Sequence, residues 1–300
     1  MLEVNMQYHI PVMCNEVLEF LKPKRGLKFL DATVGTGGHA QAILEKIVPG
    51  GFLVGIDRDE ESLNIARQRL IRFSDSFEFV YANFADLDVI LNRLNISKID
   101  GMLFDLGVSS YQLENPQRGF SFQREGPLDM RYDLAGYISA YDLVNNLNEE
   151  ELSSIFLSFG EERWHRQIAR RIIEERKSQP ILTTTQLSQI VLSAIPFRYR
   201  EYRIHPATRV FLALRIAVNR ELEVLKIALN KAIDFLNKDA KICIISFHSL
   251  EDRIVKYFFR QMQTEGRIKV LTPKPLFPSR QEVEKNPRAR SAKLRVAVRL

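Results

Sequence analysis

Asp31-Ala32-Thr33-Val34-Gly35-Thr36-Gly37-Gly38-His39-Ala40 is the stretch on which the fold turns. An apolar run from Lys28 to Val34 leads into it and a helix-patterned stretch, His39 to Val48, leads out. The glycines therefore mark the place where a buried strand becomes a helix. Glycine there permits positive φ and brings the main chain close to a ligand, and the first turn of the helix offers unpaired N–H groups. A second apolar run, Phe52 to Asp57, closes on a carboxylate 20 residues beyond Gly37. Such a carboxylate accepts hydrogen bonds from ribose hydroxyls, so glycine turn and acidic strand end together describe an adenosine pocket.

Which adenosine compound binds is not decided by the glycines, because Gly35-x-Gly37-x-x-Ala40 also satisfies the relaxed dinucleotide fingerprint. Asp31 favours S-adenosylmethionine. A carboxylate at that strand end repels a pyrophosphate but attracts a sulfonium and an α-amino group. Asn83-Phe84, at the end of a third apolar run, then offers an apolar face to adenine.

Outward from this turn, Phe77 to Asn83 and Ile99 to Leu106 supply a third and a fourth strand, with Asp59 to Phe73 and Asp86 to Leu94 as crossover helices. The alternation predicts a doubly wound parallel α/β sheet. From Gln112 to Arg203 no strand pattern appears and helical patterns take over, so this part reads as an inserted helical domain. In Gly160 to Lys177, Trp164, Ile168 and Ile172 recur at every fourth position, with Arg163, Arg166 and Arg170 on another face. After Pro206 one long helix is expected, striped by Phe211, Leu214, Val218, Leu222, Leu225, Leu229 and Leu236. The α/β pattern resumes with a strand at Lys241 to Phe247 and a capping box at Ser249-Leu250-Glu251-Asp252. Arg267 to Thr272 and Lys293 to Leu300 finish the sheet as an antiparallel hairpin. The expected domains are 1–111 and 204–300 for the sheet and 112–203 for the insertion.

The 300 residues are 45% hydrophobic and 27% charged, which suits a chain that buries a substantial core. No apolar run approaches the roughly 20 residues of a membrane span, and no signal-peptide core opens the chain, so a cytoplasmic protein is expected. Cys14 and Cys243 read as two reduced thiols, and the five histidines and two cysteines show no metal-ligand spacing, so no metal is expected. Residues 1–160 carry 14 Lys and Arg against 23 Asp and Glu, whereas residues 161–300 carry 29 against 14. A basic half of this kind suggests a polyanionic partner.

The fourth strand ends in Asp105-Leu106-Gly107-Val108-Ser109-Ser110, at the edge where open α/β sheets place their ligands. With that block in view, the chain resembles the bacterial ribosomal RNA small subunit methyltransferase H family, also called MraW. The resemblance rests on Tyr8-His9-Ile10-Pro11-Val12, Gly37-Gly38-His39, the Asp105 block with Gln112, and Arg118-Gly119-Phe120-Ser121-Phe122. It continues in Gly126-Pro127-Leu128-Asp129-Met130-Arg131, His205-Pro206-Ala207-Thr208-Arg209 and Phe247-His248-Ser249-Leu250-Glu251-Asp252-Arg253, and ends with Asn286 to Arg295. Met13, Cys14, Val34 and Thr36 are small departures from the family pattern.

The resemblance implies a Rossmann-like class I methyltransferase sheet with a helical substrate-recognition insertion. It implies an S-adenosylmethionine-dependent enzyme that methylates N4 of a decoding-centre cytosine in 16S rRNA. The sequence leaves naked rRNA and the small ribosomal subunit both open as the substrate, the size of the insertion favouring the subunit. Family cofactor contacts fall on Gly37, Gly38, His39, Asp57, Phe84, Asp105 and Gln112. Asp105 is the first candidate for contact with the amino group or the cofactor's amino end, with Ser109, Ser110 and His248 as further catalytic candidates. The Asn/Asp-Pro-Pro-aromatic loop common to amino-methyltransferases is absent. Arg163, Arg166, Arg170, Arg198, Arg200, Arg203, Arg288, Arg290, Lys293 and Arg295 are candidate phosphate contacts, Tyr199 and Tyr202 candidate stacking residues, and Phe120 and Phe122 candidates to flank an extruded base. Rival readings are a nicotinamide-dependent oxidoreductase, a non-catalytic RNA-binding factor, and a methyltransferase acting on DNA or protein.

Overall fold

Phe29 and Leu30 are neighbours on one strand, point to opposite faces, and are both fully buried. A strand apolar on both faces needs helices on both sides, and the computed structural model, which describes residues 11–200 and 205–300, has that arrangement. In chain order the sheet and its helices are α1 (Cys14–Leu21), β1 (Lys28–Asp31), α2 (Gly38–Ile47), β2 (Phe52–Asp57), α3 (Glu60–Arg69), β3 (Phe77–Tyr81), α4 (Leu87–Arg93) and β4 (Ile99–Asp105). The helical part follows as α5 (Ser110–Glu114), α6 (Ala140–Asn146), α7 (Glu149–Gly160), α8 (His165–Glu175), α9 (Thr184–Ala194) and α10 (Ala207–Asn219). The chain then returns through α11 (Glu221–Ala232), β5 (Leu236–Ser246), α12 (Ser249–Thr264), β6 (Ile268–Val270), α13 (Arg280–Lys285) and β7 (Lys293–Arg299).

The sheet order is β3-β2-β1-β4-β5-β7-β6, parallel from β3 to β5 and antiparallel where β7 joins β5 and β6. One face packs Ile43, Leu44, Leu63 and Ala66 of α2 and α3 against the strands, and the other packs Leu91, Leu229, Val255 and Phe259 of α4, α11 and α12. The doubly wound sheet, the helical insertion and the closing antiparallel strands all match the sequence reading.

The chain divides into two compact units, residues 1–107 with 222–300, and residues 108–221. The second boundary therefore lies at 221 and not at 203, because α10 belongs to the helical unit. Its Val210, Phe211, Ala213 and Leu214 share one core with Leu152 and Phe156 of α7 and Ile168 of α8.

The one long helix expected after Pro206 is broken into α10 and α11, with Leu236 opening β5, and the helix expected from Gly160 starts only at His165. A non-glycine residue in the left-handed region stands at each place. Glu161, at φ 48, ends α7, and Arg220, at φ 52, ends α10. Each costs on the order of 1 kcal/mol, and hydrogen bonds of the adjoining residue hold the chain there. The buried Glu162 carboxylate accepts from Trp164 N at 2.8 Å. Buried Asn219 donates to Met130 O at 2.7 Å and accepts from Tyr132 N at 2.8 Å. The capping position of α12 falls on His248, one residue before the expected serine.

Candidate active site

Asp31, Asp57 and Asp105 are the last residues of β1, β2 and β4, three adjacent strands of the sheet. Parallel pairing places Asp31 opposite Gly55 and opposite Leu103, so the three carboxyl groups share the carboxyl-terminal edge. This is the edge at which doubly wound sheets bind ligands.

The glycine turn lies between β1 and α2. Gly37 has φ 84, and a Cβ there would come to 3.2 Å of both Ala66 and Leu70. A Cβ on Gly38 would lie 3.2 Å from Pro11, so the turn is closed over the segment that carries the Pro11-Val12 block. Asp57 holds the turn in place: its Oδ2 accepts from Gly35 N at 2.7 Å and its Oδ1 from Asp59 N at 2.9 Å. Asp31 Oδ1 accepts from Thr33 N at 3.1 Å, and Thr33 Oγ1 accepts from Asp105 N at 2.6 Å. Thr33 thus ties the end of β1 to the end of β4. Thr33 is not among the residues expected at the site, although an Asp-x-Thr turn at a strand end is a recognisable Asx pattern.

Each of the three carboxyls is raised above its usual range, chiefly because burial penalises the charged form. Burial lifts Asp31 to about 7, with its backbone bond to Thr33 working against it. It lifts Asp57 to about 6 against the backbone bonds from Asp59 and Gly35. Asp105 is pushed well above the usual carboxylate range by burial and then by the neighbouring Asp31 and Glu251. Asp31 Oδ2 and Asp105 Oδ1 are buried with no hydrogen-bond partner. Buried polar atoms are ordinarily satisfied, so two such oxygens at one strand edge are what a bound cation or N–H donor would complete.

His39 is buried and belongs to the same cluster. Its Nε2 lies 2.9 Å from Val12 O, which only accepts, so that nitrogen carries the proton, and its Nδ1 lies 3.5 Å from Asp105 Oδ2. The expected cofactor contact is therefore a residue that joins the glycine turn, the Val12 segment and Asp105. Phe84 is partly buried, edge-on to Phe104 with centroids 5.6 Å apart, and Asn83 Oδ1 caps the turn by accepting from Ala85 N at 3.0 Å. His248 Nε2 lies 3.2 Å from Glu251 Oε1, while Glu251 Oε2 accepts from Phe247 N at 2.9 Å.

Ser109, Ser110 and Gln112 open the helical unit. Ser109 and Gln112 form a capping box on α5: Ser109 Oγ accepts from Gln112 N at 3.2 Å and Gln112 Oε1 accepts from Ser109 N at 2.9 Å. Their Ser-x-x-Gln spacing is a legible cap signal, and these hydrogen bonds go to the cap.

Several residues expected to touch RNA have other partners. Arg295 is buried and forks onto Asp252 at 2.6 and 3.2 Å, with Lys293 3.9 Å from the same carboxylate. Arg170 pairs with Glu149 at 3.4 Å, and Arg200 Nε donates to Ile195 O at 3.1 Å. Phe120 is core, stacked on Tyr132 at 5.5 Å, whereas Phe122 stacks on His205 at 4.7 Å. Arg288 and Arg290 are exposed. Tyr8, His9, Ile10, Tyr202 and Arg203 lie outside the described residues. No helix among the described residues is long and apolar enough to cross a membrane.

The model of the MraW methylase family matches residues 6–300. A ribosomal RNA small subunit methyltransferase H from Thermotoga neapolitana is 52% identical over 97% of this chain and 95% of its own length. Proteins of the same name from Persephonella marina and Halothermothrix orenii are 48% and 47% identical, each over 98% of this chain and over 100% and 99% of their own lengths.

Proposed function

The chain belongs to the MraW methylase family, and from that premise we propose that it moves a methyl group from S-adenosylmethionine to N4 of a decoding-centre cytosine in 16S rRNA, presented within the small ribosomal subunit. The observation that carries this reading is the row of strand-end carboxyls, Asp31, Asp57 and Asp105, with unpartnered oxygens on the first and the last. The donor's sulfonium, α-ammonium and ribose diol are the groups that such a row would hold. When bound, the donor supplies an electrophilic methyl carbon.

The protein's own part is to position and to handle a proton. Cytosine N4 is a weak nucleophile because its lone pair is delocalised into the ring, so an acceptor on the amino group must draw it out of conjugation. Asp105 Oδ1 is the proposed acceptor. A cation at the strand edge favours the ionised carboxylate and so works against the burial that raises Asp105 above the usual carboxylate range. As the N–C bond forms and the C–S bond breaks, positive charge leaves sulfur and the amino group turns acidic. Its proton then passes to Asp105, whose affinity for it rises as the sulfonium charge disappears. His39 anchors itself on Val12 and sets its Nδ1 3.5 Å from Asp105 Oδ2, so it positions Asp105 when a proton is held between the two groups. Ser109 and Gln112 shape the chain just after Asp105 by capping α5, and His248, against Glu251, remains a further candidate for the acceptor role. In-line attack of this kind needs the base out of its stack and held near 3 to 3.5 Å from the methyl carbon, so positioning carries most of the rate.

The test is to incubate the protein with methyl-labelled S-adenosylmethionine and small subunits from cells lacking the enzyme, then isolate defined fragments of the rRNA and digest each to nucleosides. Label in N4-methylcytidine from a single decoding-centre position is the expected result. Label in another nucleoside, or in ribosomal protein, would reject the assignment.

A further inference from the structure

Within the helical unit, a cleft is lined by Glu162, Arg163 and Trp164 of the turn between α7 and α8, and by Tyr199, His205 and Arg209. Trp164 and Tyr199 set their rings 5.2 Å apart at 40°. The Arg163 guanidinium lies 5.2 Å from the Trp164 centroid and 5.3 Å from that of Tyr199, and Arg198 lies 4.7 Å from the Tyr199 centroid. The cleft is shaped from below. Glu162 holds the Trp164 turn, and His205 stacks on Phe122 while its Nδ1 accepts from Ala207 N at 3.2 Å. That bond leaves the imidazole proton on Nε2.

The arginines of this cleft differ from several others in the unit. Arg131, Arg170, Arg171 and Arg215 are each paired with a carboxylate. Arg163, Arg198 and Arg209 pair with none among the described residues, and residues 163–220 carry 12 Lys and Arg against 3 Glu. Tyr199 is 41% exposed and nearby Phe197 69%. Guanidinium groups steadied on aromatic faces keep their N–H edges for an anion, while the rings keep area for a flat partner. A ligand that satisfies both is flat and carries a phosphate. Duplex RNA hides its base faces, whereas an unpaired nucleotide offers one together with its phosphate.

We propose that this cleft seats one unpaired nucleotide of the rRNA, its base on Tyr199 and Trp164 and its phosphate on Arg163, Arg198 and Arg209. It is a second nucleotide subsite, built within residues 108–221 and distinct from the strand-end carboxyls that would serve the reacting base. The inference rests on the reading that the substrate is RNA.

Trp164 is the chain's only tryptophan, so its fluorescence reports on the subsite alone. The full-length protein is titrated with a single-stranded ten-nucleotide pyrimidine oligoribonucleotide, without methyl donor. Saturable quenching is expected, with a duplex of the same length ineffective at the same concentrations. Tyr199→Ala and Arg198→Ala, both at exposed positions, each weaken the quench-detected binding about tenfold, the size of an ordinary stacking or phosphate contact. Tyr199→Ala also raises KM for undermethylated small subunits about tenfold. Absence of quenching, equal quenching in the variants, or an unchanged KM overturns the subsite. If the single strand quenches Trp164 but no label reaches the subunits, the subsite stands and the methylation reading fails. If label transfer proceeds without quenching, the reverse holds.

Discussion

His39 and Asp105 meet at 3.5 Å, Nδ1 to Oδ2, across 66 residues of sequence, and the other imidazole nitrogen bonds Val12 O at 2.9 Å. One buried side chain thereby fixes the N-terminal segment, the glycine turn and the proposed proton acceptor together. Replacing it by alanine leaves the Val12 carbonyl and Asp105 short of a partner.

His39→Ala should lower stability by about 1–3 kcal/mol, the usual cost of stranding buried polar groups. Urea denaturation at neutral pH measures this. Unchanged stability would mean that neither contact contributes to the fold.

Asp31 and Asp57 set a pH dependence whose sign follows from burial. Below about pH 4 their carboxyls are protonated in both the folded and the unfolded chain. Between about 4 and 6 for Asp57, and about 4 and 7 for Asp31, the unfolded chain has lost protons that the folded chain still holds. The stability of the ligand-free protein should therefore fall as pH rises through this window and level off above it as far as these groups are concerned. Binding of a cationic donor favours the ionised carboxyls, so affinity for S-adenosylmethionine should climb from pH 5.5 to 8. It should climb more steeply than affinity for S-adenosylhomocysteine, which lacks the sulfonium charge. Calorimetry in buffers of different ionisation enthalpy would report the accompanying proton release, and equal slopes for the two compounds would remove the carboxyls from sulfonium recognition.

Asp31→Asn separates stability from binding. The amide oxygen can still accept from Thr33 N, while the buried charge is gone. At pH 8 the ligand-free variant should be more stable by on the order of 1 kcal/mol, yet bind the donor at least about tenfold more weakly, since an attraction between opposite charges has been removed. Donor affinity equal to that of the parent protein would contradict the proposed role.

The alternating strands were legible because parallel strands buried on both faces read as continuous apolar runs, and because Asp31, Asp57 and Asp105 punctuate them at the strand ends. The helix breaks at Glu161 and Arg220 were not legible. Neither residue is glycine or proline, and what stabilises them, Glu162 and Asn219, acts through contacts that no periodicity displays. The same holds for Arg295. Its place near the C-terminus suggested a phosphate contact, but Asp252, 43 residues away, takes the Nε–Nη2 edge of its guanidinium. A pairing over that separation leaves no mark on local pattern.

Arg295→Met should accordingly cost about 3 kcal/mol of stability by leaving Asp252 poorly compensated, with little change in affinity for small subunits per folded molecule. Thermal unfolding alongside a filter-binding assay tests both halves. A selective loss of RNA affinity would restore Arg295 to the RNA-binding surface.

The most direct measurement is a crystal structure of the protein with S-adenosylmethionine bound. The account predicts the sulfonium at the carboxyl edge of the sheet beside the Gly35–Gly38 turn, within about 6 Å of the Asp31 or Asp105 carboxyl, the range over which opposite charges shift one another's ionisation. A donor bound elsewhere, or held at this edge with its sulfur turned away from both carboxyls, would contradict it.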